Sequence, residues 1–359
     1  MTRAARPRRP GGIAEVARLA GVSVGTVSNV LNNPHLVAED TRTRVEQIMR
    51  ETGFVRNAAA RQLTGAPSMV VGCVMLDLSN VYFAEVARGI EERLAVDGCV
   101  AVQCSTDVLL DRENHYLRAL LEIRVRGILI ASVDPGRSDL LLLPARGTPI
   151  VLLDVPRDDL DLCAAAMDNV LGGRLAAEHL LDLGHRRIAL LRAETELRTL
   201  TDRAEGVSRA VRERGLDPAE VLLDVPVVPP RLGGTGEIPV RQAMSDARPP
   251  TAFLCFNDTA AMMILPSLRE AGIAVPHDVS VVGYDDIHFA ANLSPALTTV
   301  RQPAHDLGWT AADLLLSEVK PDHRHREVIF TPELVVRQST APPPARETRT
   351  TSPERTPWT

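Results

Sequence analysis

The stretch IAEVARLAGVSVGTVSNVL, Ile13 to Leu31, governs how the rest of the chain is read. Ile13, Val16, Ala17 and Ala20 recur on one helical face. Gly21-Val22-Ser23 then makes a tight corner that ends in a helix-capping serine. Val24, Val27, Val30 and Leu31 begin a second helical pattern. Two short helices joined by a glycine-containing turn read as a helix-turn-helix, whose second helix enters the DNA major groove. An ordinary helical hairpin buried in a core has the same spacing, so the surroundings must decide.

After the second helix, Asn32-Asn33-Pro34 forms a loop. Glu39 and Asp40 open a third helix, with acidic groups in the first turn as its dipole favours. Val45, Ile48, Met49 and Thr52 form its inward face, and Gly53 ends it. Residues 13–56 are thus an all-α headpiece around one small core. Residues 1–12 are rich in Arg, Pro and Gly and read as a disordered basic arm. Residues 57–67 form a linker: NAAARQL at Asn57–Leu63 is helix-prone, yet too short to be well populated alone in water. Such a segment folds only when something holds it, which is a physical basis for a switch.

From Met69 the pattern alternates between short apolar runs and amphipathic helices. Strands are expected at Val70–Leu76, Cys99–Cys104, Gly127–Ala131 and Ile150–Leu153, and a second round of alternation starts near Val170. Continuous apolar runs between helices mean parallel sheets covered on both faces. The expected fold is a two-lobed α/β core over 68–340, built of doubly wound parallel sheets. The first lobe takes about 68–167 plus 299–328, and the second about 168–298 plus 329–340. Ligands in such folds sit outside the carboxyl ends of the strands, here in the cleft between lobes. Residues 341–359 read as a disordered tail.

Net charge is −6, which alone argues against a nucleic-acid partner. The charge is uneven, however. Residues 1–65 hold ten arginines against five acidic residues, a segment of +5 that leaves −11 for the remainder. A basic end on an acidic body points to a local anionic partner. The five cysteines (Cys73, Cys99, Cys104, Cys163, Cys255) form no CxxC pair. They read as buried free thiols in a reducing cytoplasm, with no metal site. No apolar run is long enough for a signal peptide or a membrane span. The chain lacks a GxGxxG after its first strand, a GxxxxGK[ST] loop, a GxSxG elbow and a metal-spacing cluster, so neither an enzyme nor a cofactor is expected.

Taken together, the residues resemble the lactose/galactose repressor family of bacterial transcription regulators. VARLAGVSVGTVSNVLN at Val16–Asn32 is similar to that family's DNA-binding signature, and NAAARQL to its hinge helix. MDNVLGGRLAAEHLLDLGHRRIALL, FNDTAAMMILPSLREAGIAVPHDVSVVGYDDI, LTTVRQP and PELVVRQST resemble its periplasmic-binding-protein-like core. The resemblance implies a homodimer that places two headpieces on a pseudo-palindromic operator. It also implies a small-molecule effector between the lobes, a sugar or a related polyol or nucleoside, that changes operator affinity. A transport solute-binding protein shares the core but lacks a headpiece.

Carried over residue by residue, the resemblance assigns DNA contacts to Ser23, Val24, Gly25, Thr26, Ser28 and Asn29 of the headpiece. In the hinge it assigns Asn57, Ala60, Arg61 and Leu63, with Leu63 as the minor-groove wedge. Asn29 suits a bidentate pair with adenine, and Val24 a thymine methyl. Gly25 offers no side chain, and Asn29 stands where arginine is more frequent. Arg56 replaces the usual hinge proline, and Val81 replaces the proline of an Asn-Pro-Tyr-Phe run. For the effector the resemblance assigns Phe83, Asp168, Arg203, Asn257 and Asp285, a set that suits several hydroxyls. Asp258 and Asp286 read equally as helix caps, and His179 and His185 as structural.

Overall fold

The computed structural model describes residues 12–55, 67–193, 195, 197–227, 238–320 and 322–345. Contacts divide the chain after Ser68 into two compact units, each described by itself. The hinge assignments to Asn57, Ala60, Arg61 and Leu63, and the Arg56 departure, lie outside the described residues.

The first unit holds helices α1 (Ile13–Ala20), α2 (Val24–Asn32) and α3 (Glu39–Thr52). The expected apolar face closes its core: Val16, Val27 and Val45 are fully buried, with Ala17, Ala20 and Val30 beside them. Gly21 and Gly53 end α1 and α3 in left-handed conformation, φ 65° and 61°, which costs a glycine no steric strain. Gly12, placed in the basic arm by its composition, is the N-cap of α1.

Among the described residues, the second unit contains two six-stranded sheets. The first sheet comprises β1 (Val70–Met75), β2 (Val100–Ser105), β3 (Ile128–Ile130), β4 (Ile150–Leu153), β5 (Cys163–Met167) and β11 (Glu327–Phe330). Their order is β11-β5-β4-β3-β1-β2, and every pairing is parallel. Helices α4 (Val81–Val96) and α5 (Leu110–Glu122) belong to this lobe. In the second sheet β6 (Ile188–Ala193), β7 (Leu222–Val227), β8 (Ala252–Leu254), β9 (Ser280–Asp285) and β10 (Thr298–Arg301) run parallel, and β12 (Glu333–Val335) joins β10 antiparallel. Its longer helices are α6 (Asn169–Asp182), α7 (Arg198–Glu213) and α9 (Asp258–Glu270), with a short α8 (Val240–Met244), while α10 (Ala304–Ser317) returns to the first lobe. Most strand interiors are buried on both faces, which is why they read as unbroken apolar runs.

Two lobe boundaries shift from expectation. Residues 298–301, placed partly in the first lobe by sequence, pair with Val282–Asp285 of the second sheet, so the chain crosses after Arg301. It crosses back after Phe330, because β11 pairs with Ala164–Met167 in the first sheet. The ordered chain also continues past residue 340: the Ala341 carbonyl accepts from His185 Nε2 at 3.0 Å. A carbonyl only accepts, so Nε2 carries the proton and Nδ1 accepts from the Thr251 hydroxyl at 2.8 Å. Burial lowers the pKa of this imidazole, and its role is structural, as is that of His179, bonded to Thr340.

Each lobe pairs two helices through glycine. A Cβ on Gly89 of α4 would lie 2.0 Å from the His305 carbonyl of α10, and one on Gly173 of α6 would lie 2.0 Å from that of Arg203 in α7. These approaches bring α7 close enough for Arg203 to reach the end of the second sheet.

Candidate functional site

The headpiece presents one surface of chemical interest. Ser23 caps α2, accepting from Thr26 N at 3.0 Å, and its hydroxyl also bonds Thr26 Oγ1 at 2.9 Å. Val27 and Val30 turn inward, which directs the intervening positions outward. Ser23, Val24, Gly25 and Asn29 are exposed, and Thr26 and Ser28 half-buried. A Cβ on Gly25 would meet only Ser23 Oγ, at 3.6 Å, so this position is a shallow gap in the exposed face. Hydroxyls, one apolar tip and one amide on an uncharged helix suit edge-on contact with base pairs and phosphates.

The second unit holds a cleft of about 140 Å³ at the carboxyl ends of the strands, walled by both lobes. From the first lobe come Asp77, Asn80, Tyr82, Phe83 and Asp154; from the second come Leu200, Arg203, Phe256, Asn257 and Asp285. The Arg203 guanidinium is fixed from three sides. Nε donates to Asn169 Oδ1 at 2.8 Å, Nη1 donates to the Phe256 carbonyl at 2.7 Å, and its carbon stacks 3.7 Å over the Tyr284 ring. Asp285 is buried and sits at φ 117°, a conformation that side-chain-bearing residues rarely adopt. Gln302 Nε2 donates to its Oδ1 at 2.7 Å, and Asn80 Nδ2 reaches across from the other lobe to its Oδ2 at 3.4 Å. Asp154, at φ 64°, accepts from the Tyr82 hydroxyl at 2.9 Å.

Burial pushes the Asp154 carboxyl up to about 6 and that of Asp285 to about 7, against the lowering field of Arg203. Two carboxyl groups poised near neutrality beside a fixed guanidinium can donate to or accept from a hydroxylated ligand. Phe83 supplies an apolar wall for a ring face, edge-on to Tyr82.

Of the five effector positions that the resemblance implies, Phe83, Arg203, Asn257 and Asp285 come together on the wall of this cleft. Asn257 spends its Oδ1 on the cap of α9, accepting from Ala260 N at 2.8 Å, so its Nδ2 is the atom it can offer. Asp168 stands apart from these four: its Oδ1 caps α6 by accepting from Leu171 N at 2.8 Å, and it is not among the residues that line the cleft. Asp258 is locked by Thr299 Oγ1 and Ile287 N, and Asp286 bridges Arg301 and Arg337. Reading the sequence missed Asn80 and Asp154. Asp154 carried a usable signal, because it directly follows the buried run Ile150–Leu153 at a strand's carboxyl end.

Comparison with known proteins adds independent findings. Residues 12–57 match the model of the bacterial regulatory proteins of the lacI family, and residues 177–340 match the periplasmic binding protein-like domain. The HTH-type transcriptional repressor PurR of Photobacterium profundum is 35% identical over 339 residues, spanning 91% of this chain and 98% of that protein. PurR of Aliivibrio fischeri is 34% identical over 331 residues, with 91% and 97% covered. Among solved structures, the Lac repressor dimer bound to operator and the anti-inducer ONPF superposes with a TM-score of 0.77 at 28% identity, covering 93% of this chain and all of that one. A LacI family regulator from Enterococcus faecium with ribose bound gives a TM-score of 0.68 at 30% identity, covering 76% and 99%. An outward-facing helix-turn-helix, a bilobal core and these likenesses agree: the chain belongs to the lacI family of bacterial regulatory proteins and is a DNA-binding transcriptional regulator.

Proposed function

We propose that this regulator is a repressor that binds a pseudo-palindromic operator as a homodimer, with an affinity set by a small polyhydroxylated effector in the cleft. The observation that carries the reading is Asp285 held between Gln302, just past the neighbouring strand β10, and Asn80 of the opposite lobe. A ligand that bonds this carboxylate competes with the cross-lobe contact, and so shifts the balance between lobe arrangements. Arg203 and Asn257 add donors, and Asp154 a second acceptor, a set that fits a sugar or a related polyol or nucleoside. Ribose in a related regulator supports the sugar class. Ser23, Val24, Gly25, Thr26, Ser28 and Asn29 carry the operator contacts. On edge strand β2, Val100 and Val102 stay exposed and offer an apolar surface to a second copy. A regulator of this kind works beside the chromosome, in the cytoplasm.

The test is a thermal-shift and calorimetric screen of the full chain against pentoses, hexoses, polyols and nucleosides. It is paired with a gel shift on the region upstream of its own gene. One ligand class is expected to bind, to lose its effect in Asp285→Asn, and to change the gel shift. Strong hits that survive Asp285→Asn would sink the cleft assignment, and absence of DNA binding at low salt would sink the repressor reading.

A further inference from the structure

One group of side chains stands apart from the cleft, at the amino-terminal end of the first sheet. Cys163 is the first residue of β5, Glu318 follows α10, and His323 and His325 lie on the segment that leads into β11. Cys163 Sγ is 3.3 Å from His323 Nε2 and 3.8 Å from His325 Nδ1. Glu318 Oε1 is 3.2 Å from each of those nitrogens, and all four ligand atoms lie within 4.8 Å of one another. A tetrahedral zinc site, with Zn–S about 2.3 Å and Zn–N or Zn–O about 2.0–2.1 Å, has ligand-to-ligand edges of about 3.3–3.6 Å. The measured separations straddle those edges.

The surroundings orient the ligands. Ser317 Oγ donates to the Leu314 carbonyl at 2.6 Å and therefore meets His323 Nδ1, 3.2 Å away, as an acceptor. The ring proton then sits on Nδ1, and the Nε2 lone pair faces the cluster. His325 likewise turns Nε2 toward Asp161, at 4.0 Å, and Nδ1 inward. The Arg326 backbone N–H donates to Cys163 Sγ at 3.4 Å and so holds the sulfur in place. His323 Nε2 and Glu318 Oε1, 3.2 Å apart, thus both turn toward the centre of the cluster, where a proton or a cation can lie between them. Cys163 is fully buried, and the Glu318 and His323 side chains are 9% and 11% exposed, so these are not freely solvated surface groups.

We propose that Cys163, Glu318, His323 and His325 bind one Zn2+ per chain. Four protein ligands close the coordination sphere, which makes the site structural. The Cys163 S–H bond gives way to an S–Zn bond, and the proton leaves to solvent. The ion fastens the segment after α10, which carries the chain into β11, onto β5 of the first lobe. Borderline-soft thiolate and imidazole ligands select zinc over calcium or magnesium.

The experiment uses the full chain, free of any affinity tag, stripped with a chelator and titrated with zinc chloride, with bound metal measured by mass spectrometry. One zinc per chain is expected, with a melting temperature that rises with zinc concentration. Cobalt(II) in its place should show the intense visible bands of tetrahedral coordination and a thiolate charge-transfer band. Cys163→Ser should erase that band, and His323→Ala should weaken zinc binding by more than ~100-fold, beyond the cost of losing an orienting partner. Ser317→Ala, which keeps all four ligands, should weaken it by ~10-fold. A wild-type chain that takes up less than one zinc overturns the proposal. So does a cobalt spectrum that lacks the thiolate band, or binding that Cys163→Ser leaves unchanged. None of these readouts depends on the effector or the operator.

Discussion

On the headpiece, Val24 is 46% exposed and Asn29 stands outside the small core, whereas in the cleft Asp285 is 4% exposed and Asp154 only 3%. The DNA-reading side chains are carried by a helix whose stability comes from the opposite face, from Val27 and Val30. The cleft side chains are themselves part of the packing: Arg203 holds Asn169 and Phe256, and Asp285 holds Gln302 and Asn80. Recognition and folding are therefore separable in the first region and coupled in the second. Surface contacts with DNA gain from charge and water release and are tuned position by position. A buried polar site has to be satisfied before the ligand arrives, or it costs the fold.

The largest expected effect of that contrast is on Arg203. Arg203→Ala takes a donor from Asn169 Oδ1, which keeps only the longer bond from the Tyr284 hydroxyl, and from the Phe256 carbonyl, and leaves two carboxyl groups without their counter-charge. It should cost the core about 3 kcal/mol in chemical denaturation and remove effector binding together with stability. A variant that loses the effector at full stability would break the contrast.

Asp285→Asn sharpens it. The amide keeps an oxygen for Gln302 but cannot ionise, so effector affinity should fall by ~10- to 100-fold in calorimetry, about 1.4 to 2.7 kcal/mol, while the core holds or gains stability at alkaline pH. The sign follows from burial. Asp285 and Asp154 titrate near 7 and 6 in the folded chain and lower when unfolded, so the folded state holds more protons in between. With Asp258 also pushed up, to about 8, by burial and by Asp285, the melting temperature of the unliganded core should therefore fall as pH rises from 5 to 8, a window set by those values and their reference values near 4. Asp285→Asn should flatten that slope.

In the headpiece the expected effects are smaller and confined to DNA. Asn29→Ala should lose about 1–3 kcal/mol of discrimination at one base pair in competition gel shifts, with the melting temperature unchanged. Smallest is Gly25→Ala: the added Cβ has room, and helix propensity should raise headpiece stability by about 1 kcal/mol, read by circular dichroism. A loss of stability in either variant would mean that the reading face is coupled to the core after all.

The headpiece was legible residue by residue. The Ser23 cap, the Gly21 and Gly53 stops and the Val16, Val27 and Val45 core all reflect interactions within a few turns of chain. Alternating strands and helices likewise announced two parallel-sheet lobes. What escaped was whatever lacked a local signature. Strand β5 is alanine-rich, and β11 is short, so neither stood out from its surroundings. Asp168 shows the same limit: a matching pattern in its neighbours could not reveal that its Oδ1 satisfies the first turn of its own helix.

From its sequence alone this protein has three headpiece helices, two lobes and the residue types for reading DNA and holding a hydroxylated ligand, because periodicity, caps and turns are short-range. The tertiary structure alone decided which of those residues meet. Tyr82 finds Asp154 across 72 residues, Asn80 finds Asp285 across 205, and Cys163 finds His323 across 160. Each meeting depends on where the chain crosses between sheets, and that is settled by the joint packing of all the strands and helices, which no local stretch encodes.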